Sequence, residues 1–342
     1  MEIDEEVFLE KNSVKETKNE VKKKKKFHDD LKDIEYVLNG CFCNCKEGAI
    51  KTDEYVLGID EAGRGPVLGP MVYACAFWRN EDEKNINTDY HFDDSKKLDH
   101  NTRAKLYRQM LNDNRIHYIY EIHSSVDISN KMLRRNQDII NLNQISHESA
   151  GGLINKALIQ GFNITSVFAD TVGPEVSYSN KLAELCIKKK NIDIRAEKKA
   201  DSKYKVVSAA SIVAKVIRDS IVYNWKFKEN NGIINFSTVT GSGYPADEIT
   251  VKWLKKSFNN IFGYPDFVRF SWKTCLKVLK SDGITVKFKD YKEFEDSDVV
   301  CKFIKDDKKE KKIDEINYEV NYDFIDYFEE NNLNIYGTSL LS

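Results

Sequence analysis

Between about residue 54 and residue 280, apolar and polar positions come in short blocks, and each block predicts an element. Residues 55–59 form a brief apolar run that ends in acids, and residues 71–78 form a second apolar and aromatic run; both predict strands. A helix is predicted after Asp99, a good N-cap, because Leu106, Tyr107, Met110 and Leu111 recur at helical spacing. Residues 116–122 alternate like another strand. Across residues 138–159, Ile139, Leu142, Ile145, Leu153, Ile154, Ala157 and Leu158 predict one long helix or two shorter ones, with Gly151 and Gly152 weakening the middle. A strand over residues 164–169 ends at Asp170. A helix over 178–187, a strand over 192–196 and a long helix over 206–225 follow, and the chain then breaks at Gly241 to Pro245. Residues 247–259 and 267–279 predict two more helices. Strands that first meander and then alternate with helices predict an α/β fold, a mixed sheet with helices against its faces.

The flanks read differently. Residues 1–53 are crowded with Lys, Glu, Asp and Asn and are expected to be a disordered extension. Within them Lys22 to Lys26 is an unbroken basic run, either a solvated segment or a nuclear import signal. Residues 281–342 are again heavily charged, yet Phe324, Ile325, Tyr327 and Phe328 leave material for a packed element, the pattern of a tail that orders on a partner. The expected division is therefore an extension over 1–53, a folded domain over 54–280 and a charged tail over 281–342 expected to dock a partner.

Global charge does not point to a ligand: 53 Lys and Arg oppose 55 Asp and Glu, so any basic surface must be local. No run of about 18 apolar residues is present to span a bilayer, and the acidic start lacks the layout of a secretory signal. The expectation is an intracellular protein without a membrane partner. Cys41, Cys43 and Cys45 cluster, but no second cysteine pair lies near them to complete a zinc site, so they read as reduced thiols.

The candidate chemistry is acidic. Asp60 and Glu61 stand where the first strand gives way to a glycine-rich turn, and Asp170 stands at the end of a later strand. Strand ends can present side chains to one cleft, although a lone strand-end Asp more often caps a turn. A fourth acid, Asp201, precedes a helix rich in small residues, Ser208, Ala209, Ala210, Ser211 and Ala214. If four carboxylates met, their repulsion would raise some pKa values, and divalent cations would relieve it; oxygen-only donors favour Mg²⁺ or Mn²⁺ over zinc. Gly63-Arg64-Gly65 would let main-chain amides approach a substrate, or would simply make a tight turn. Lys96 within Asp94-Ser95-Lys96-Lys97, and Lys198-Lys199, offer local positive charge for phosphates, the bland alternative being a solvated face. Tyr244, within Gly243-Tyr244-Pro245, is either a packing residue or a ring able to stack on a sugar or base.

Taken together, residues 58–72, Gly-Ile-Asp-Glu-Ala-Gly-Arg-Gly-Pro-Val-Leu-Gly-Pro-Met-Val, resemble the first signature of type 2 ribonucleases H. Asp94-Ser95-Lys96, Asn141-Leu142-Asn143, Ser146-His147, Asp170-Thr171-Val172-Gly173, Lys199-Ala200-Asp201, Val207 to Ile212 and Gly243-Tyr244-Pro245 follow in the family's order. The resemblance, most similar to eukaryotic catalytic subunits, implies a ribonuclease H-like mixed sheet followed by a small helical C-terminal part. It implies that Asp60, Glu61, Asp170 and Asp201 are the catalytic carboxylates and hold two Mg²⁺ or Mn²⁺ ions. By the same resemblance, Gly63, Arg64 and Gly65 sense a ribonucleotide 2′-hydroxyl, Tyr244 helps to identify an RNA-to-DNA junction, and Lys96 contacts phosphate. The implied reaction is hydrolysis by metal-activated water, in RNA–DNA hybrids and 5′ of ribonucleotides embedded in duplex DNA, leaving a 3′-hydroxyl and a 5′-phosphate. The implied setting is a heterotrimer with two non-catalytic subunits, serving replication and ribonucleotide excision repair in the nucleus and also in the cytoplasm. A binding scaffold without catalysis and another nuclease on the same fold are the rival readings, and the four retained acids and Tyr244 weigh against them.

Overall fold

The computed structural model describes residues 38–92, 98–134, 139–187, 192–230 and 235–284. The chain divides into two compact units, the first built from Met1–Arg64, Pro70–Ser124 and Asn143–Trp225 and the second from Gly65–Gly69, Ser125–Leu142 and Lys226–Ser342, as far as each is described. Lys22 to Lys26, Lys96 and the aromatic residues of the 281–342 tail lie outside the described residues.

The first unit is a six-stranded sheet of order β1-β4-β3-β2-β5-β6, formed by β1 (Cys41–Asn44), β2 (Glu54–Ala62), β3 (Met71–Arg79), β4 (His117–His123), β5 (Asn163–Asp170) and β6 (Asp193–Glu197). The pairs β1/β4, β4/β3 and β3/β2 are antiparallel, whereas β2/β5 and β5/β6 are parallel. This is the mixed sheet that meandering and then interleaved strands predict. β2 and β3 are buried almost throughout, because helices cover both of their faces and leave no polar side to the pattern.

On one face Val56, Val72, Ala74, Ala76, Trp78, Tyr118, Tyr120 and Ile122 form a core with Val206, Ala209, Ala210 and Val213 of the long helix Lys205–Tyr223. Numbering helices in chain order, α1 is Glu83–Asp89, α2 His100–Asn112, α3 Ser125–Met132, α4 Leu142–Ile159, α5 Glu175–Leu185, α6 Ala200–Lys203, α7 Lys205–Tyr223, α8 Glu248–Lys256 and α9 Lys273–Asp282. Asp99 caps α2 as expected, its side chain accepting from the Thr102 amide at 2.7 Å. α7 lies so close to β2 at Gly58 that an added Cβ would collide with the Val206 carbonyl group and stand 2.5 Å from the Val207 nitrogen. The absence of a side chain at Gly58 makes that approach possible.

Three expectations are corrected and one alternative is decided. The stretch 1–53 does not stand wholly outside the sheet, since Cys41–Asn44 forms edge strand β1, where Phe42 stacks on Tyr120 with ring centroids 5.1 Å apart. Few core residues are needed for an edge strand, so composition carries little sign of it. The cysteine cluster is not three separate thiols: Cys43 and Cys45 are paired, with Cα atoms 5.6 Å apart, and Cys41 is unbridged. β1 stops at Asn44, so Cys45 is not held at the full spacing of an extended strand, and the separation suits a disulfide. Of the two alternatives for residues 138–159, the single long helix is the one formed, as α4, and Gly151 is where it admits a neighbour; a Cβ there would lie 2.8 Å from the Leu185 Cβ of α5. In the second unit, residues 267–272 are not helical. Arg269 is fully buried there, its amide donating to the Val67 carbonyl and its Nε to the Gly69 carbonyl at 2.9 Å, so the last helix starts only at Lys273. No helix among the described residues is long and apolar enough to cross a membrane.

Candidate active site

Side chains alternate across a sheet, so Asp60 and Glu61 at the end of β2 leave opposite faces. Asp60 points to the α7 side and is 5% exposed; Glu61 is half-buried. The neighbouring strand β5 runs parallel, with Ile59 opposite Ala169, so Asp170 ends its strand beside Asp60. Burial, reinforced by the charges of Glu61 and Asp170, pushes the Asp60 carboxyl well above the usual range. Two hydrogen bonds oppose that shift, one from the Ser211 hydroxyl and one from the Glu61 amide, which donates to Asp60 Oδ1 at 2.7 Å. Tyr73 and Tyr178, on the other side of the sheet, have phenols driven upward by burial and then by Glu61, so they stay neutral.

Asp201 arrives by a different route. The link from β6 to α6 turns at Lys199, whose φ of 57° and ψ of 39° are left-handed, and the next amide, Ala200 N, donates to Asp170 Oδ1 at 3.2 Å. The turn therefore ties the residue before Asp201 directly to Asp170. Asp201 itself is 2% exposed. Asp60, Glu61 and Asp170 thus interact electrostatically, with Asp201 joined through its neighbour, but among the described residues no three His, Cys, Asp or Glu side chains close around a single ion position. The donors are all carboxylate oxygens, a set suited to Mg²⁺ or Mn²⁺.

An adjacent pair of strand-end acids, a third on the neighbouring parallel strand and a fourth just before a helix narrow the possibilities, and comparison with known proteins decides among them. The ribonuclease HII family model matches residues 57–275. The chain belongs to the ribonuclease HII family. It is 44% identical over 239 residues to the A subunit of ribonuclease H2 from Bos taurus, spanning 69% of this chain and 76% of that protein. It is also 44% identical over 228 residues to the A subunit of ribonuclease H2 from Dictyostelium discoideum, spanning 66% and 77%. The crystal structure of the ribonuclease H2 from Pyrococcus horikoshii OT3 shares its fold with a TM-score of 0.53 at 27% identity, covering 66% of this chain and 97% of that one. The chain is a ribonuclease H, a hydrolase that cuts RNA in RNA–DNA hybrids.

The remaining motif residues of this ribonuclease H divide between the units. In the first, Gly63 has φ +82°, and a Cβ would collide with Arg218 Nε and lie 2.6 Å from the Pro70 carbonyl oxygen, so glycine is required there on two grounds. Arg64 donates to Asn143 Oδ1 and, through Nε, to Ser146 Oγ at 3.4 Å. In the second unit, Trp272 Nε1 donates to the Gly65 carbonyl at 3.0 Å, and a Cβ on Gly65 would stand 3.2 Å from the Tyr244 ring. Tyr244 is 51% exposed. Its loop is held by Asp247, which accepts from the Ser242 amide and hydroxyl, and by Thr250, which accepts from the Gly243 amide. Four neighbours are given no role by the sequence reading. Asn143 and Ser146 are visible only as motif members, Arg218 carries no signal, and Ser211 stands out only for its size.

Proposed function

We propose that this chain is the catalytic subunit of a ribonuclease H2 assembly that hydrolyses the RNA strand of RNA–DNA hybrids and also cuts 5′ of single ribonucleotides in duplex DNA. The observation that carries the reading is that Asp60 and Asp170 end the adjacent parallel strands β2 and β5, with burial and then the charges of Glu61 and Asp170 acting together on Asp60. Carboxylates crowded in this way are stabilised by cations, and Asp60, Glu61, Asp170 and Asp201 are the residues that would hold them. Two Mg²⁺ or Mn²⁺ ions, when bound, supply charge stabilisation to the attacking and leaving oxygens of a phosphodiester, giving a 3′-hydroxyl and a 5′-phosphate.

The chain's own residues account for selectivity. Gly63, Arg64 and Gly65 offer main-chain groups, unobstructed at the glycines, for a ribonucleotide 2′-hydroxyl. Tyr244 offers an exposed ring and a hydroxyl for the sugar at an RNA-to-DNA junction, and Lys96 is assigned to a phosphate. A site made to hydrogen-bond a hydroxyl leaves its polar groups unpaired on DNA, so all-DNA duplex should be cut roughly 10⁴-fold less well. The test is a duplex with one embedded ribonucleotide, with the product ends mapped. Cleavage 5′ of the ribonucleotide with 3′-hydroxyl and 5′-phosphate ends supports the reading, and equal cleavage of all-DNA duplex overturns it.

The bovine and Dictyostelium relatives are each the A subunit of a ribonuclease H2, which supports an assembly. The aromatic residues of 281–342 are its proposed docking surface, in a nuclear complex with two non-catalytic subunits. Because α9 runs to Asp282, the truncation that tests this ends after Ile284. Loss of co-purifying subunits with unchanged metal binding supports the assignment; retention of both refutes it.

A further inference from the structure

α7 presents two serines three residues apart, hence on one face, to the elements that carry two of the four acids. The Ser208 hydroxyl donates to the main-chain carbonyl of Asp201 and, at 3.3 Å, to that of Tyr204, so it ties α6 to the start of α7. The Ser211 hydroxyl donates to the Asp60 carboxylate. Both serines are buried, at 1% and 4% exposure, and this reach depends on the contact at Gly58, two residues before Asp60. The carboxylate of Asp60 is therefore gripped from two sides, by the Glu61 amide within the sheet and by a hydroxyl from the helix.

That grip has a chemical consequence. The terminal torsion of an aspartate is broad rather than sharply staggered, so its own rotamer preference does not decide which way the two oxygens point. Donors decide it. A carboxylate has about four lone-pair sites, and two donors leave others to face a cation.

We propose that Ser211 is a positioning residue of the metal site: its hydroxyl sets the Asp60 carboxylate in the orientation that receives a divalent cation, while Ser208 holds Asp201 through the main chain. This inference rests on the reading of Asp60 as a metal ligand. It gives the small residues of α7 a second task, since they allow close packing and also bring a hydroxyl to a buried carboxylate.

The experiment compares full-length Ser211→Ala, Ser211→Thr and the near-isosteric Ser211→Cys, with Asp60→Asn as control. Mn²⁺ binding is followed by titration calorimetry without nucleic acid, beside thermal unfolding and the Mg²⁺ concentration for half-maximal cleavage of a hybrid. Loss of an outer partner of a metal ligand typically weakens metal binding roughly 10-fold to 100-fold. Ser211→Ala should show that loss, with cleavage recovering in large part at saturating Mg²⁺. Ser211→Cys, a weak donor, should fall between, and Ser211→Thr, which keeps the hydroxyl, should remain near wild type. If Ser211→Ala does not fold, the cysteine and threonine pair carries the same comparison. A variant that unfolds at lower temperature yet binds Mn²⁺ as wild type shows a purely structural hydrogen bond and overturns the proposal. If Asp60→Asn itself binds Mn²⁺ and cleaves normally, the ligand assignment fails first. If only the serine variants are normal, the ligand assignment stands and the positioning role falls.

Discussion

The two units hold their functional groups by different means. In the first, Asp60, Glu61 and Asp170 end strands of a sheet covered on both faces, and Asp201 sits beside a buried helix, so their support is rigid backbone. In the second, Tyr244 stands half-exposed in a loop whose shape comes from Asp247 and Thr250 accepting hydrogen bonds from Ser242 and Gly243. The difference matches the tasks proposed for these residues. Like charges must be confined by a framework stiff enough to resist their repulsion, whereas a ring that meets a nucleic acid needs solvent access and can tolerate some adjustment.

The comparison breaks most plainly at the acids. Asp60→Asn or Asp170→Asn should leave the fold intact and cost about 4 kcal/mol of transition-state stabilisation, roughly a thousandfold in rate on a hybrid in Mg²⁺. A well-folded variant with near wild-type rate would remove that acid from the site. Next comes the framework: Gly58→Ala drives a methyl into the backbone of α7 and should destabilise the protein by about 3 kcal/mol in denaturant unfolding. A change near zero would mean that α7 is not clamped on β2. In the second unit the expected losses are smaller. Tyr244→Ala should lower cleavage at a single embedded ribonucleotide roughly tenfold to hundredfold, the range of an aromatic stacking contact, and Tyr244→Phe should lose less, since it keeps the ring. Equal, undiminished rates for both would take Tyr244 out of recognition.

The smallest effect is one of pH. Burial, then the charge of Glu229, raises the Asp266 carboxyl from 3.8 to about 6. Its neutral form is favoured in the folded state, so the stability it contributes is fully present below pH 3.8 and is lost as pH rises through about 6. Asp266→Asn keeps a neutral side chain at every pH. It should therefore be more stable than wild type by about 1 kcal/mol at pH 8, a value reduced for the solvent on its half-exposed side, and should match wild type near pH 4. Urea unfolding at the two pH values checks this; a difference that does not change with pH would refute it.

Much of this protein is legible along the chain. The strands of the sheet from β2 to β6 follow from apolar runs and their acidic or glycine-rich ends, and the helix after Asp99 follows from a cap and a period. β1 is not legible because an edge strand needs little apolar surface, and residues 267–272 mislead because their apolar positions suit a helix when the hydrogen bonds of Arg269 are unknown. At the site, it is the resemblance of the ordered motifs that proposes the acids and glycines, since a strand-end carboxylate taken alone more often caps a turn.

Sequence by itself determined which atoms are available: four carboxylates, two glycines in a turn, a tyrosine between glycine and proline. It could not say which of them meet, because strand pairing joins residues more than a hundred positions apart, as Ile59 joins Ala169. Nor could it show that Arg218 lies behind Gly63 or that Ser211 reaches Asp60. Those contacts depend on how closely α7 approaches β2, and that distance follows from the missing side chain at Gly58, against which the Val206–Val207 backbone lies.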